Sequence, residues 1–239
     1  ITEPMLAELR EAGHASYSRG LEGRMADGTV RVVPVWRVSS LRLGDSSTRS
    51  GTWGRQVYFG GVQLGRNFAL SPGFITYPLP ILAGQSSAPS TVELYVNDVL
   101  RQTSQVPSGP FAIDNFPLLT GSGQARVVVR DLLGRETVLV QDFFTHSDLL
   151  DQGLSDWSAE LGAVRRNLGV ENADYGQGFA SGLWRYGVDR KRTAEARAEF
   201  GEETSGGGIG LAFELPWQLL GQVAAAGSRV GSRARWGVG

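Results

Sequence analysis

Few residues in this chain could take part in catalysis. The block Gly44-Asp45-Ser46-Ser47 could be the nucleophile block of an esterase, in which the serine hydroxyl attacks the ester carbonyl. That attack needs a base, usually a histidine, to accept the hydroxyl proton. The chain has two histidines, His14 and His146, and neither lies in the Asp-x-x-His context that such hydrolases use. We therefore predict a Ser-rich hairpin turn at this block, and no enzyme.

The sequence carries no signal for a metal or a phosphate site. It has no cysteine, which removes thiolate ligands and disulfides together. Asp142, His146 and Asp148 lie close to one another, and a solvated loop explains them better than a metal site does. Gly121-Ser122-Gly123 and Gly206-Gly207-Gly208 lack the Lys-Ser/Thr of a phosphate loop, so both are predicted to be turns. No metal and no cofactor are expected.

The charges of the chain are balanced. Lys and Arg number 23 and Asp and Glu number 24, which gives a formal net charge of −1. A nucleic-acid binder normally shows a basic stripe, so that class is excluded. The most regular charges are Glu195, Arg197 and Glu199, which lie on one face of a predicted strand. They fit either a charge ladder inside a pore or the solvated face of a soluble sheet.

The elements that would position these charges are β-strands. Apolar and polar residues alternate along residues 157–163, 193–201 and 209–215, with Glu160 on the polar side of the first segment. In a soluble sandwich the apolar face is the core, whereas in an outer-membrane barrel it meets lipid and the polar face lines a lumen. Both remain open, although the small outward residues fit the barrel better, and they predict Ala159, Ala196 and Leu211 facing lipid. No segment reaches the ~18 consecutive apolar residues of a transmembrane helix.

The middle of the chain has a different pattern. Between residues 78 and 145, short β-rich runs alternate with Pro, Gly, Asn and Asp turns, which is typical of a small β-sandwich. This domain would be inserted into the meander of strands on either side of it. Its predicted core residues are Val92, Leu94, Val96, Phe111, Ile113, Val127 and Val129.

The segment before the sandwich is also predicted to be mainly strand. From Thr29 a strand runs through Val38 with an edge or bulge at Pro34, and further strands cover 40–44 and 56–65 around a turn-rich connection. Residues 1–28 stay unassigned: the spacing in 4–13 fits a short helix or a frayed strand. They lack the basic and apolar regions of a signal peptide, so the numbering is expected to start inside a longer protein.

Eight segments in a fixed order form a recognisable pattern: Arg42-Leu43-Gly44-Asp45-Ser46, Phe59-Gly60-Gly61-Val62-Gln63-Leu64, Phe68-Ala69-Leu70, Tyr77-Pro78-Leu79-Pro80, residues 90–97, residues 106–111, residues 128–136 and Leu154-Ser155-Asp156-Trp157-Ser158. Any one of them would be weak, but together they extend from residue 42 to residue 158. In this order they resemble the fimbrial outer-membrane usher family of the chaperone–usher pathway. The Tyr-Pro-Leu-Pro and Asp-x-Leu-Gly-Arg-Glu motifs look most like its spore-coat-U-like branch.

The resemblance implies a bacterial outer-membrane β-barrel pore that is closed by a plug domain and uses no nucleotide, cofactor or catalytic residue. Its partners would be periplasmic chaperone–pilus subunit complexes, the pilus subunits and outer-membrane lipid. In an all-β chain of this kind, residues 29–77 and 146–239 would be barrel strands and residues 78–145 the β-sandwich plug. Glu160, Glu195, Arg197 and Glu199 would then line the lumen.

The chain departs from a complete usher. The domain that captures chaperone–subunit complexes, the later barrel strands and the C-terminal domains are not recognised in it, so a fragment is expected. The alternative is a soluble or secreted multi-domain β-sandwich adhesin, which would be a binding protein rather than a pore.

Overall fold

The chain is built from β-strands. The computed structural model describes residues 21–24, 30–33, 35–80, 82–113, 120–167 and 174–239. Within these ranges the only helices are two short 3-10 turns, so the predicted all-β class is confirmed. The possible helix over residues 4–13 lies outside the described residues. In chain order the strands are β1 (Leu21–Arg24), β2 (Val30–Val33), β3 (Ser39–Ser47), β4 (Tyr58–Arg66), β5 (Leu82–Ser86), β6 (Ser90–Val96), β7 (Val99–Val106), β8 (Gly109–Ile113), β9 (Gly121–Asp131), β10 (Glu136–Thr145), β11 (Ser155–Arg165), β12 (Tyr175–Asp189), β13 (Arg192–Gly201), β14 (Thr204–Leu215), β15 (Leu219–Val230) and β16 (Arg233–Val238).

Eight strands form one antiparallel sheet in the order β16-β15-β14-β13-β12-β11-β4-β3. Each strand pairs with the next one in sequence, except that β4 pairs with β11. The chain therefore leaves the sheet after β4 and returns beside the same strand. This topology confirms the predicted meander with an inserted domain. A separate two-stranded sheet joins β1 to β2.

Three local predictions are wrong. The strand expected through Val38 is instead a 3-10 turn, Val35–Val38, because a proline at position 34 has no N–H for a strand ladder. The Gly44–Ser47 block belongs to β3, and the loop begins only at Thr48. Gly121-Ser122-Gly123 and Gly206-Gly207-Gly208 lie inside β9 and β14 rather than in turns, since a glycine run can also continue a strand where another group approaches closely.

The β3–β4 hairpin bends over its own polar face. Ser46 pairs with Phe59 in the ladder, four residues from Gln63, which would put them about 13 Å apart in a straight hairpin. The Ser46 hydroxyl nevertheless lies 3.3 Å from the Gln63 side-chain oxygen. Gly44 lies at the bend with φ +107°, a conformation that favours glycine. Gly61 pairs with it, and a Cβ there would lie 2.2 Å from the Leu161 carbonyl oxygen.

The inserted domain is a small sandwich of two antiparallel sheets. One sheet has the order β10-β9-β6-β7, and the other joins β5 to β8. The sequence did not predict β5, which is short and contains glycine. Asn97 and Asp98 connect β6 to β7 with φ values of 49° and 63°. Two consecutive positive φ values are the mark of a tight type I′ hairpin, for which Asn and Asp are suited.

The core of the sandwich contains the residues that the alternation singled out. Val92, Leu94, Val96, Val127 and Val129 point inward from β6 and β9 and are buried. Ile113 is buried with them, while Phe111 is half-buried and packs against the cluster. Leu79, Leu82, Ala125 and Phe143 complete it.

The β9–β10 turn explains one of the family-like motifs. The carboxylate of Asp131 accepts hydrogen bonds from the backbone N–H groups of Leu133 and Arg135, at 2.8 and 2.9 Å, and pairs with the Arg135 side chain. The Arg135 backbone and side-chain hydrogen bonds hold the pKa of Asp131 below its usual range. Gly134 adopts φ +78°. Glu136, the last residue of the Asp-x-Leu-Gly-Arg-Glu motif, pairs with Arg130. The aspartate, glycine, arginine and glutamate of the motif therefore each have a structural role in this turn.

The chain between the sandwich and β11 is attached to the large sheet. Leu149, Leu150 and Leu154 are buried there. The Leu150 N–H donates to the Thr193 hydroxyl at 2.7 Å, and Gly187 exchanges backbone hydrogen bonds with this segment. The return of the chain to the sheet is therefore fixed by both packing and hydrogen bonds.

Candidate functional site

The eight-stranded sheet exposes apolar side chains on one face and buries charged side chains on the other, which is the reverse of a soluble protein. Leu43, Leu161 and Ile209 on one face are 74%, 65% and 67% exposed, whereas Glu160 and Glu195 on the other are each 4% exposed. Soluble proteins bury their apolar surface, and a continuous exposed apolar face needs an apolar medium. One face of the sheet therefore suits lipid, and the opposite face suits the lining of a pore.

A loop covers the polar face. It comprises residues 48–57, between β3 and β4, and we call it the inner loop. At its base the Thr48 N–H donates to the Val57 carbonyl and the Val57 N–H donates to the Thr48 hydroxyl, at 2.9 and 3.0 Å. These two bonds close the loop, and the bend of the hairpin directs it across β11, β13 and β14.

Glu195 on β13 is the main anchor of the inner loop. Its carboxylate accepts hydrogen bonds from the Thr52 N–H and the Thr52 hydroxyl, each at 3.0 Å. It also forms an ion pair with Arg185 on β12 at 3.4 Å. The backbone of Gly51, at φ +64°, passes so close that a Cβ would lie 2.2 Å from the carboxylate. The buried charge is thus satisfied partly by the sheet and partly by the loop.

Arg197 holds the loop from the same strand. Its guanidinium donates to the carbonyl oxygens of Arg49 and Arg55, at 2.7 and 2.8 Å. It also pairs with the carboxylate of Glu199. Arginine is suited to this task because its fixed fork of donors can reach several acceptors at once.

A second set of polar contacts connects the loop to β11. Arg49 forms a bidentate ion pair with Asp156, which is buried. On the same face, Glu160 accepts from Gln63 at 3.0 Å and from the Ser181 hydroxyl at 2.6 Å. The polar face is therefore a connected network rather than a row of independent solvated charges.

The tip of the inner loop rests on glycines. The Trp53 ring lies over β14, where a Cβ on Gly208 would be 2.7 Å from the ring and one on Gly210 would be 2.9 Å from it. Gly206, Gly208 and Gly210 alternate with outward residues and leave this part of the strand flat. The glycine run at residues 206–208, which was predicted to be a turn, therefore lies in a strand on which the Trp53 ring packs.

The predicted pore residues share one face. Glu160, Glu195 and Arg197 lie beneath or beside the inner loop, and Glu199 lies on the same face with its side chain 44% exposed. Their role in lining a lumen stays a prediction. Trp53 was not among the predicted site residues, although a lone aromatic in a Ser/Thr/Gly-rich loop is a signal for it. Arg49, Thr52 and Asp156 gave no such signal, because their partners are more than 100 residues away.

The described parts of the chain offer little for chemistry. They contain no group of three or more His, Asp or Glu residues placed to hold a metal ion. Ser46 donates a hydrogen bond to the Gln63 side-chain oxygen, and the His146 ring stacks against Phe144. Among the described residues, no helix is long and apolar enough to cross a membrane.

A family model described as outer membrane usher protein matches residues 27–225. This chain belongs to the outer membrane usher family. It is 29% identical over 199 residues to the outer membrane usher protein FaeD of Escherichia coli, which covers 83% of this chain and 23% of FaeD. It is 26% identical to the usher FimC of Bordetella pertussis, over 85% of this chain and 24% of that protein. The chain thus spans about a quarter of the length of these usher relatives.

The fold has a counterpart among solved ushers. In the Escherichia coli P pilus tip assembly intermediate PapC-PapD-PapK-PapG, the similar chain has a TM-score of 0.55 and 21% identity, over 87% of this chain and 25% of that one. At this identity the likeness shows the fold. The family match and this fold together make the eight-stranded sheet part of an usher β-barrel in the bacterial outer membrane. The narrower resemblance to the spore-coat-U-like branch stays a prediction.

Proposed function

We propose that this chain forms the gated part of an usher pore. Through it, pilus subunits delivered by a periplasmic chaperone would be assembled and secreted across the outer membrane. The observation that carries the proposal is the insertion of a folded sandwich between two hydrogen-bonded neighbours of the barrel wall, β4 and β11. A domain attached in this way stays beside the pore in every state.

The gate would be the inserted domain, with boundaries at residues 78 and 145. A large barrel with a polar interior is an open aqueous channel unless something fills it. An inserted domain can fill it and can leave again, provided that its contacts with the wall are modest. Where the domain approaches the sheet, a cavity of about 320 Å³ lies between them. Polar and apolar residues of the domain line it, and Arg190, Lys191 and Glu214 line it from the sheet. An approach across a cavity fits this requirement.

Under this proposal the chain works as a pore rather than as an enzyme. The buried charges Glu160, Glu195 and Arg197 bind the inner loop and the strands. Their task would be to shape the wall of the lumen. The soluble adhesin alternative is not favoured, because the exposed apolar face of the sheet would then lie in water.

The decisive experiment is removal of the gate. Residues 78–145 of the full-length usher would be replaced by a short Gly-Ser bridge, and the protein would be inserted into planar lipid bilayers. We expect a folded barrel with continuous high conductance, and cells that become sensitive to large antibiotics. Barrel folding would be checked by heat-modifiable migration on gels.

Two results would contradict the proposal. Unchanged conductance from a folded and inserted deletion protein would rule out the gate. Loss of barrel folding on deletion would show instead that the domain is a structural part of the wall.

A further inference from the structure

We propose that the inner face of the barrel wall carries an oxyanion-binding pocket at the base of the bent hairpin. The pocket has a volume of about 290 Å³, which is room for about ten water molecules or for a phosphate or carboxylate with part of its hydration shell. Its lining includes Arg42, Arg49, Arg66 and Ser158. This inference goes beyond the gating proposal and does not depend on it.

Positive charge is in excess at the pocket. Three arginines, Arg42, Arg49 and Arg66, are among the residues that line it. Asp156 is paired with Arg49, and Glu160, which accepts hydrogen bonds from the neutral Gln63 and Ser181, adds a second negative charge nearby. Within the described residues, neither Arg42 nor Arg66 forms an ion pair with a carboxylate at contact distance. Three arginines against these two carboxylates leave one positive charge in excess, which a bound anion would balance.

Two donors at the pocket have no protein partner among the described residues. The Ser158 hydroxyl belongs to a residue that is only 3% exposed, and its oxygen makes no hydrogen bond. The Nε–H of Arg66 is buried and also unpartnered, although another nitrogen of the same guanidinium donates to the Ser155 carbonyl at 2.5 Å. Leaving a buried donor unpaired costs about 1–3 kcal/mol, so a group that accepts from both would be favoured.

The chemistry of these donors selects an oxyanion. Arginine side chains bind phosphate and carboxylate groups through parallel N–H···O bonds. A hydroxyl beside them adds a further donor. The rest of the lining is uncharged and, apart from Gly65 and Phe68, polar. The group bound could be free inorganic phosphate or a carboxylate of an acidic polypeptide segment inside the pore.

The test measures thermal unfolding of the intact usher in detergent as inorganic phosphate is titrated at constant ionic strength. Ligand that binds only the folded state raises the midpoint in a saturable way. We expect such a rise for the wild type and an apparent phosphate affinity roughly tenfold weaker for Arg42→Gln, because a charge-assisted bond is lost. Arg42 is exposed, so its removal does not disturb folding.

Two variants separate binding from general effects of charge and packing. Arg101→Gln removes an exposed arginine from the inserted domain and should retain the wild-type response. Ser158→Ala should keep or raise the phosphate-free midpoint, since it removes a buried hydroxyl that has no partner, while weakening the response to phosphate. The source of the anion is distinguished by competition: displacement of phosphate by a tetraglutamate peptide but not by tetraglutamine assigns the site to polypeptide carboxylates, and no displacement assigns it to free phosphate.

The proposal is overturned if the wild type shows no saturable shift with phosphate. It is also overturned if Arg42→Gln and Arg101→Gln respond equally, because the effect would then be non-specific screening of positive charge. An unaltered phosphate response in Ser158→Ala would remove the buried hydroxyl from the site and with it the claim of a built pocket.

Discussion

At the scale of single residues, the structure depends on buried charges that would be unusual on a strand of a soluble sheet. Glu195 is buried on a β-strand, and a buried carboxylate is tolerated only where donors and a cation surround it. Thr52 supplies the donors and Arg185 the cation. The same carboxylate therefore stabilises the sheet and holds the inner loop, which makes it the clearest residue-level target.

We expect Glu195→Gln to loosen the inner loop. The substitution keeps the volume but removes the charge that faces Arg185, and breaking a buried pair typically costs about 3–5 kcal/mol. Hydrogen–deuterium exchange of residues 49–56 in the intact usher should become faster. Glu214→Gln is the matched control, because Glu214 lies on the same face, pairs with Lys191 and does not contact the loop. Equal exchange in the two variants would mean that Glu195 is not the anchor.

The outward face gives a second residue-level prediction. Leu211 is half-buried between neighbours on the apolar face of β14, where it pairs with Ala194 and Val223. An arginine there would face the hydrocarbon, so Leu211→Arg should lower the free energy of unfolding in lipid vesicles by roughly 2–4 kcal/mol near the bilayer midplane. Ser228→Arg, on the polar face of β15, should have a much smaller effect. Equal losses would contradict the orientation of the sheet.

At the scale of elements, the bent hairpin depends on glycines that serve different purposes. Gly44 provides a backbone conformation, whereas Gly208 provides empty space for Trp53. A methyl group at Gly208 would come within 2.8 Å of atoms of both Trp53 and Ala225. Such a contact cannot persist, so the loop tip or the strand must move.

Gly208→Ala should therefore displace the tip of the inner loop while leaving the hairpin in place. Exchange should rise around Trp53 and remain low in β3 and β4. Gly227→Ala, on the neighbouring strand, is the control, because a Cβ there would meet no atom closer than 3.7 Å. If Gly208→Ala behaved like Gly227→Ala, the close contact with Trp53 would not be a determinant of the loop position.

The strands could be predicted from the sequence, whereas the path of the inner loop could not. Period-two alternation identified the strands and which residues share a face, since each of those patterns is local. Val92 and Val127 could be grouped as a core for that reason. The path of the inner loop could not be predicted, because Arg49 meets Asp156 and Thr52 meets Glu195 across more than 100 residues. Glycine runs were misassigned because the same residue type serves turns, bends and close approaches.

At the scale of the whole molecule, the inserted sandwich is joined to the barrel wall firmly through the segment that returns to β11 and more loosely through the domain itself. The segment that returns to β11 is buried and hydrogen-bonded, with Leu150 bonded to Thr193 and Asp148 bonded to Arg185 at 2.6 Å. The domain itself meets the wall around a cavity that Gln141 and Lys191 line. A gate that moves about a fixed attachment and leaves a loosely packed contact would have this arrangement.

Locking the domain to the wall should therefore block secretion reversibly. The chain contains no cysteine, so Gln141→Cys with Lys191→Cys can be joined by a thiol-specific cross-linker that a reductant cleaves. In full-length usher carrying this pair, addition of chaperone–subunit complexes should raise conductance only after reduction, and cells should assemble pili only when the cross-linker is omitted.

The matched control is Lys191→Cys with Glu214→Cys, which places both thiols on the wall, where the native side chains lie 3.7 Å apart. That cross-link does not tie the inserted domain to the wall, so the pore should still open. Opening of the Gln141–Lys191 pair while it is still cross-linked would show that subunits pass without displacement of the inserted domain, and the pore would need another gate.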